Sequence, residues 1–202
     1  MVTRRSMIAL GGAAAVAAVG AGPRAVDAKK KKRVTKTFSN TAAITTDGSD
    51  AATPYPSTIK VSGLKKGKIE KVRVFLNGFT ATVNPAPDNI DVMLSAQHLS
   101  GLTAVIMSDV GGAVAANNVN LVLDDAATNS LPPDGPLTSS TFKPTNDSGT
   151  AESFPAPAPT PNGNSALSVF NGAKPNGTWQ LWVDDDPGNG PAQFAGGWSI
   201  EI

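Results

Sequence analysis

Thr178-Trp179-Gln180-Leu181-Trp182-Val183-Asp184 reads as a β-strand with one apolar face. Side chains alternate across a strand, so Trp179, Leu181 and Val183 share one side and Gln180 and Trp182 share the other. The first side is the expected core face. Trp198, Ile200 and Ile202 repeat the same period of two at the C-terminus, which predicts a final strand strapped into a sheet. From Phe38 onward no helical periodicity competes with this pattern. Short β-branched and apolar runs recur between turn residues at Val34 to Ser39, Thr58 to Ser62, Ile69 to Leu76, Thr80 to Val83, Asp91 to Ser95, Thr103 to Met107 and Asn120 to Asp124. Gly and Pro number 20 and 16, which suits many short strands joined by tight turns. An all-β sandwich is the expected fold class.

The chain has 202 residues, room for one domain beside an export segment. Met1 to Ala28 has a basic start, an apolar small-residue run from Met7 to Gly22 and a small-residue cleavage site at Val26-Asp27-Ala28. Arg4 and Arg5, with the weakly hydrophobic Ala/Gly core that follows, resemble a twin-arginine export signal. That resemblance implies a bacterial protein exported already folded, secreted or held at the cell envelope. Ala28 would then be the last residue removed, leaving a mature chain without a transmembrane segment. Lys29 to Arg33 are five consecutive positive charges whose mutual repulsion favours an extended, solvated linker over residues 29–37, ahead of a folded domain over residues 38–202. Nucleic acid is not an expected partner, because the domain lacks aromatic residues interleaved with the basic ones for base stacking.

No cysteine is present, which excludes disulfides, thiolate metal sites and a cysteine nucleophile. One histidine, His98, falls in a turn-rich segment with no Gly-x-Ser-x-Gly elbow to pair with, so a serine triad is not expected and His98 reads as an ordinary exposed residue. Zinc is disfavoured for the same lack of nitrogen and sulfur ligands. Charge is instead polarised along the chain: twelve basic and three acidic residues from Lys29 to Arg73, then two basic and twelve acidic to the end. Several carboxylates sit at predicted strand ends. Asp184-Asp185-Asp186, followed by Pro187-Gly188-Asn189-Gly190, is the best local candidate for a calcium site, with Asp91 and Asp109 as weaker ligands, since calcium accepts six to eight oxygens in a forgiving geometry. Between Asp124 and Leu167 the composition shifts to Pro, Thr, Ser, Asn and Ala. The low-complexity run Pro155-Ala156-Pro157-Ala158-Pro159, continuing to Pro161, predicts a long surface loop there.

Taken in order, Tyr55-Pro56-Ser57-Thr58-Ile59 with Val61-Ser62-Gly63-Leu64, Ile69 to Leu76, Asp88 to Leu94, Met107-Ser108-Asp109-Val110-Gly111-Gly112, Leu123 to Ala127, Pro175 to Asp184 and Gly196 to Ile202 resemble the P domain (P/Homo B domain) that follows the catalytic domain in subtilisin-like proprotein convertases. The resemblance spans Phe38 to Ile202 and departs at Gln97-His98-Leu99-Ser100-Gly101, where the family usually carries a Pro/Gly turn. It implies a jelly-roll sandwich of about eight antiparallel strands, similar to galactose-binding-like domains. It further implies a non-catalytic accessory module whose partner is an exported subtilisin-like protease or an envelope component. A cell-surface or carbohydrate-binding jelly roll is the alternative the fold leaves open.

Overall fold

The computed structural model describes residues 33–48, 50–64, 67–82, 87–147, 152–186 and 191–202. The signal and basic-linker expectations, Arg4, Arg5, Ala28 and Lys29 to Lys32 among them, fall outside these residues. Thirteen strands are found among the described residues: β1 (Thr37–Asn40), β2 (Ile44–Thr45), β3 (Asp50–Ala51), β4 (Ser57–Val61), β5 (Arg73–Ala81), β6 (Ile90–Ala96), β7 (Thr103–Ser108), β8 (Ala116–Leu123), β9 (Ser140–Phe142), β10 (Thr145–Asn146), β11 (Gly177–Asp185), β12 (Gln193–Phe194) and β13 (Trp198–Glu201). They form two sheets. In the first, β5 lies between β8 on one side and β12 and β13 on the other, with β9 outside β8, β2 outside β12 and β1 outside β13. The second runs β10, β7, β6, β11, and then β3 and β4 end to end along the same edge of β11.

An all-β sandwich is therefore the architecture, but the sheets are mixed instead of purely antiparallel. β9 runs parallel to β8 and β10 parallel to β7. Both parallel additions come from residues 140–146, inside the stretch whose composition predicts only loop. That stretch also buries Leu131 and Leu137 in the core, so the apolar residues scattered through its polar sequence tie it down at intervals. Thirteen pieces replace about eight strands largely because strands are broken in two: β3 and β4 follow one another along β11, β12 and β13 along β5, and β2 and β1 lie outside β12 and β13 in turn. Conversely, the two runs predicted around Leu76 and Thr80 are one strand, β5, carrying register shifts between Leu76 and Ala81. Asn120 Oδ1 accepts the Gly78 amide at 2.8 Å and so fills the hydrogen bond that the bulge leaves open.

Both sheets contribute to one apolar core. Val74, Leu76 and Phe79 of β5, Leu121 and Leu123 of β8 and Trp198 and Ile200 of β13 meet Ile90, Val92 and Leu94 of β6 and Trp179, Leu181 and Val183 of β11. The predicted apolar face of β11 is thus the inner face, with Trp179 and Leu181 wholly buried. Trp198 Nε1 crosses between the sheets to donate to Ser57 Oγ at 3.0 Å, so the one polar atom of a buried indole is satisfied. Close backbone approach explains Gly197: at φ +62° a Cβ there would lie 2.2 Å from the Asn40 carbonyl oxygen. Residues Val34 to Ile202 make up one compact unit, beginning slightly before the expected boundary at Phe38 because Lys36 exchanges backbone hydrogen bonds with Ile202.

The outer face of β11 is not solvent-facing. Trp182 is only 2% exposed and packs with Met93 and Val105 under Tyr55, Phe154 and Ala158. The proline-rich segment lies across the sheet as a strap. Tyr55 donates its hydroxyl to the Pro155 carbonyl at 2.9 Å, and its ring meets Trp182 edge-on at 4.9 Å. Trp182 Nε1 donates to Ser95 Oγ at 2.8 Å. Farther along, Asn162 and Asn164 fasten the strap to β7 through Thr103 Oγ1 and the Val105 amide. The loop that composition predicts to be a surface excursion is instead the outer cover of the second sheet.

Candidate functional site

Antiparallel pairing places Asp184 of β11 opposite Asp91 of β6, one residue beyond the Val183 and Val92 pair. Both side chains point to the outer face, continuing the row Gln180–Ser95 and Trp182–Met93. Two carboxylates in directly opposed positions repel one another. Asp50 of β3, Asp186 just past β11, and Glu152, Ser153, Phe154 and Pro155 of the strap complete a recess of about 410 Å³ around them. Of the aspartates proposed from sequence, Asp184, Asp186 and Asp91 share this recess.

Asp185 and Asp109 lie elsewhere. The pleat turns Asp185 to the opposite face, where it is fully buried with neither carboxylate oxygen hydrogen-bonded. The Thr46 hydroxyl, whose oxygen accepts the Ala192 amide at 2.8 Å, is near enough to offset part of its burial. Burial, aided by the charges of Asp186 and Asp47, holds the Asp185 carboxyl above the usual range. Asp109 sits after β7 at φ +54°, its Oδ2 accepting from Ser108 Oγ at 2.9 Å. It is not among the residues lining the recess.

Within the recess, burial pushes Asp91 up to about 8; the Ser108 hydroxyl opposes this, and the charges of Glu152, Asp186 and Asp109 reinforce it. One hydroxyl proton cannot serve two carboxylates. With Ser108 donating to Asp109, a protonated Asp91 can donate to Ser108 in turn, which is the arrangement a raised pKa favours. Asp184 is raised to about 6 by burial, against the Asp185 amide and together with Asp50, Asp186 and Asp185. Its Oδ1 is buried with no hydrogen-bond partner, in a residue only 8% exposed. The Tyr55 phenol above it is also raised, first by its own burial and then by the Asp184 charge.

Other acidic residues are spent on structure. Asp124 receives Lys71 Nζ at 2.7 Å and the Ala126 amide at 2.9 Å; burial opposes ionisation there, but these partners and Arg73 hold its pKa below the usual value. Asp125 accepts the amides of Leu167 and Ser168, capping the 3₁₀ turn Leu167–Phe170. His98 is exposed, yet it is held in place. Its Nε2 donates to the Lys174 carbonyl at 3.0 Å, and its ring meets Trp179 edge-on at 6.1 Å.

Asp50 and Glu152 are the recess residues that sequence reading passes over. Glu152 had a signal: it is the only acidic residue between Asp147 and Asp184 and stands at the entrance to the proline run. Among the described residues no group of three or more His, Asp or Glu side chains is placed to hold a metal ion. The carboxylates ring a space instead of meeting at a point. An orphaned buried oxygen on Asp184 and an all-oxygen donor set suit a hard cation that keeps some of its water. Comparison with protein-family models, curated proteins and solved structures finds no match to this chain.

Proposed function

We propose that this chain is an exported, non-catalytic module of the P-domain type that works beside a subtilisin-like protease or another envelope protein. We further propose that calcium, held by Asp184, Asp91 and Asp186, supports its fold. The observation that carries this reading is the cluster of buried carboxylates on the outer face of an all-β sandwich, a structural liability unless protonation or a cation relieves it. The phrases that resemble the family supply central strands: Ile69 to Leu76 enters β5, Asp88 to Leu94 enters β6, Pro175 to Asp184 enters β11 and Gly196 to Ile202 enters β13. The jelly-roll connectivity and the twin-arginine route belong to the same proposal.

A sugar-binding reading draws less support. Trp179, Trp182 and Trp198 are at most 2% exposed, so their faces are not offered to a sugar ring. Crosslinking of the chain in the exported protein fraction of its source tests the accessory role. Retention of a subtilisin-like protease supports it, whereas recovery of polysaccharide or envelope components alone moves the surface-binding reading ahead. Casein turnover by the purified chain, abolished by a serine-protease inhibitor, would overturn the non-catalytic reading.

A further inference from the structure

We propose that Asn162-Gly163 is a self-modifying site: the Gly163 nitrogen attacks the Asn162 side-chain amide, ammonia leaves, and the downstream fastening of the strap changes from a donor to an acceptor. Asn162 is exposed to water, yet both polar atoms of its side chain are held. Nδ2 donates to the Gly101 carbonyl at 3.0 Å. Oδ1 accepts from the Asn164 amide at 3.1 Å and from Asn164 Nδ2 at 2.8 Å. A carbonyl can only accept and a backbone amide can only donate, so these partners fix which side-chain atom is the nitrogen. Two N–H donors aimed at one amide oxygen stabilise the negative charge that gathers there when a nucleophile adds to its carbon.

Gly163 supplies the nucleophile. It is exposed at φ +80° and has no Cβ to shield its nitrogen, and among the described residues nothing accepts its amide hydrogen. The other described Asn-Gly pairs are built differently. Asn120 Oδ1 holds the Gly78 amide and the Ile69 carbonyl holds the Gly172 amide, each at 2.8 Å. Gly177 belongs to the ladder of β11 with β4, and Asn176 Oδ1 receives the Leu64 amide alone among the described residues. In the reaction the Gly163 N–H gives its proton to water as the nitrogen bonds to Asn162 Cγ. The Cγ–Nδ2 bond then breaks, and Nδ2 takes a proton from solvent and departs as ammonia. One water opens the resulting cyclic imide, leaving an aspartyl or isoaspartyl linkage at position 162. A carboxylate now faces the Gly101 carbonyl where an N–H stood, and two acceptors at that separation repel. Neighbouring bonds from Asn162 N to Thr103 Oγ1 and from Val105 N to the Asn164 carbonyl loosen with it. Pro157 and Pro159 then draw back from Leu99 and Thr103, widening the hollow of about 360 Å³ that these residues wall together with Trp182. The reaction requires only water, so it stands or falls apart from the calcium reading.

Peptide mapping by mass spectrometry on the full chain, incubated in mildly alkaline buffer, measures conversion at position 162, with Asn171 and Asn176 as internal references. Residue 162 should convert before either reference, and roughly tenfold faster in the folded chain than in the same chain unfolded in urea, because only the fold supplies the two donors. Asn164→Ala removes the side-chain donor and keeps the backbone one, and Asn164→Asp keeps the shape but has no side-chain N–H to give. Each should slow conversion in the folded chain by about tenfold and leave the rate in urea unchanged. Once residue 162 has converted, hydrogen exchange at the Val105 amide should quicken while that of β13 stays as it was. A folded-chain rate no greater than the rate in urea, or variants that convert as fast as wild type, would overturn the self-modifying site. Conversion that leaves Val105 exchange unchanged would overturn the loosening of the strap.

Discussion

Asp91 and Asp184 stand opposite one another on β6 and β11, with both carboxylates on the buried outer face of one sheet. Each is raised, to about 8 and about 6, from an ordinary value near 4. A native state that holds protons the unfolded chain releases loses stability as pH rises between those values. Without divalent cations, the melting temperature should therefore fall from pH 5 to pH 8. Asp91→Asn should flatten that slope and raise the metal-free melting temperature at pH 8 by a few degrees, on the order of 1 kcal/mol. In saturating calcium the ranking should reverse, with wild type the more stable. A metal-free profile that rises over the same window would show that the pair is not protonated in the native state.

His98 and Gly177 form a second interlocking pair. A Cβ at residue 177 would lie 2.1 Å from His98 Nδ1, so Gly177→Ala must drive the imidazole off the Lys174 carbonyl and away from Trp179. The expected cost is about 1–2 kcal/mol, read from denaturant midpoints. In a His98→Ala background the same substitution should cost clearly less, because the obstruction is gone. Additive effects would mean that backbone conformation at Gly177, and not the ring, sets the requirement.

These two pairs also mark how far the sequence could be read. Alternation in Trp179 to Val183 is enough to place the inner face, because Trp179 and Leu181 have no other way to leave water. The same alternation assigns Trp182 to an outward face but is silent on what covers it. The cover is a proline-rich segment with no period of its own, anchored by Phe154 and Tyr55, and only tertiary contact reveals it. The run Asp184-Asp185-Asp186 is divided for a related reason: the pleat turns Asp185 to the opposite face, while Asp184 and Asp186 share the recess with Asp50 of β3, Asp91 of β6 and Glu152 of the strap. Two-residue strands such as β2, β10 and β12 carry too few residues to show any pattern.

Trp182 should prove as costly to remove as a residue of the central core. Its indole is buried, hydrogen-bonded to Ser95 and packed edge-on against Tyr55, so Trp182→Ala leaves a cavity beneath the strap and an unpaired Ser95 hydroxyl. A loss of about 3–5 kcal/mol is expected, with the thermal midpoint lowered by roughly 10 °C. Thermal melts followed by far-ultraviolet circular dichroism measure it. A loss below about 1 kcal/mol would mean that the strap leaves Trp182 largely exposed in solution.

Deleting residues 198–202 should abolish folding. β13 lies between β1 and β5 and pairs with both, so its loss leaves two ladders open at once. Trp198 and Ile200 are wholly buried, and burial of two such side chains contributes about 5 kcal/mol or more, the scale of the entire stability of many domains. Ser57 Oγ, which receives both Trp198 Nε1 and Asn40 Nδ2, loses its buried donor, and Lys36 loses its exchange of backbone bonds with Ile202. The truncated chain should give a collapsed amide proton spectrum, whereas Glu201→Gln, which keeps the strand and an acceptor for Arg73 and removes only the negative charge, should fold with at most about 1 kcal/mol lost. A dispersed spectrum from the truncated chain would place the folding core in β5, β6, β8 and β11 alone and make the C-terminal strand dispensable.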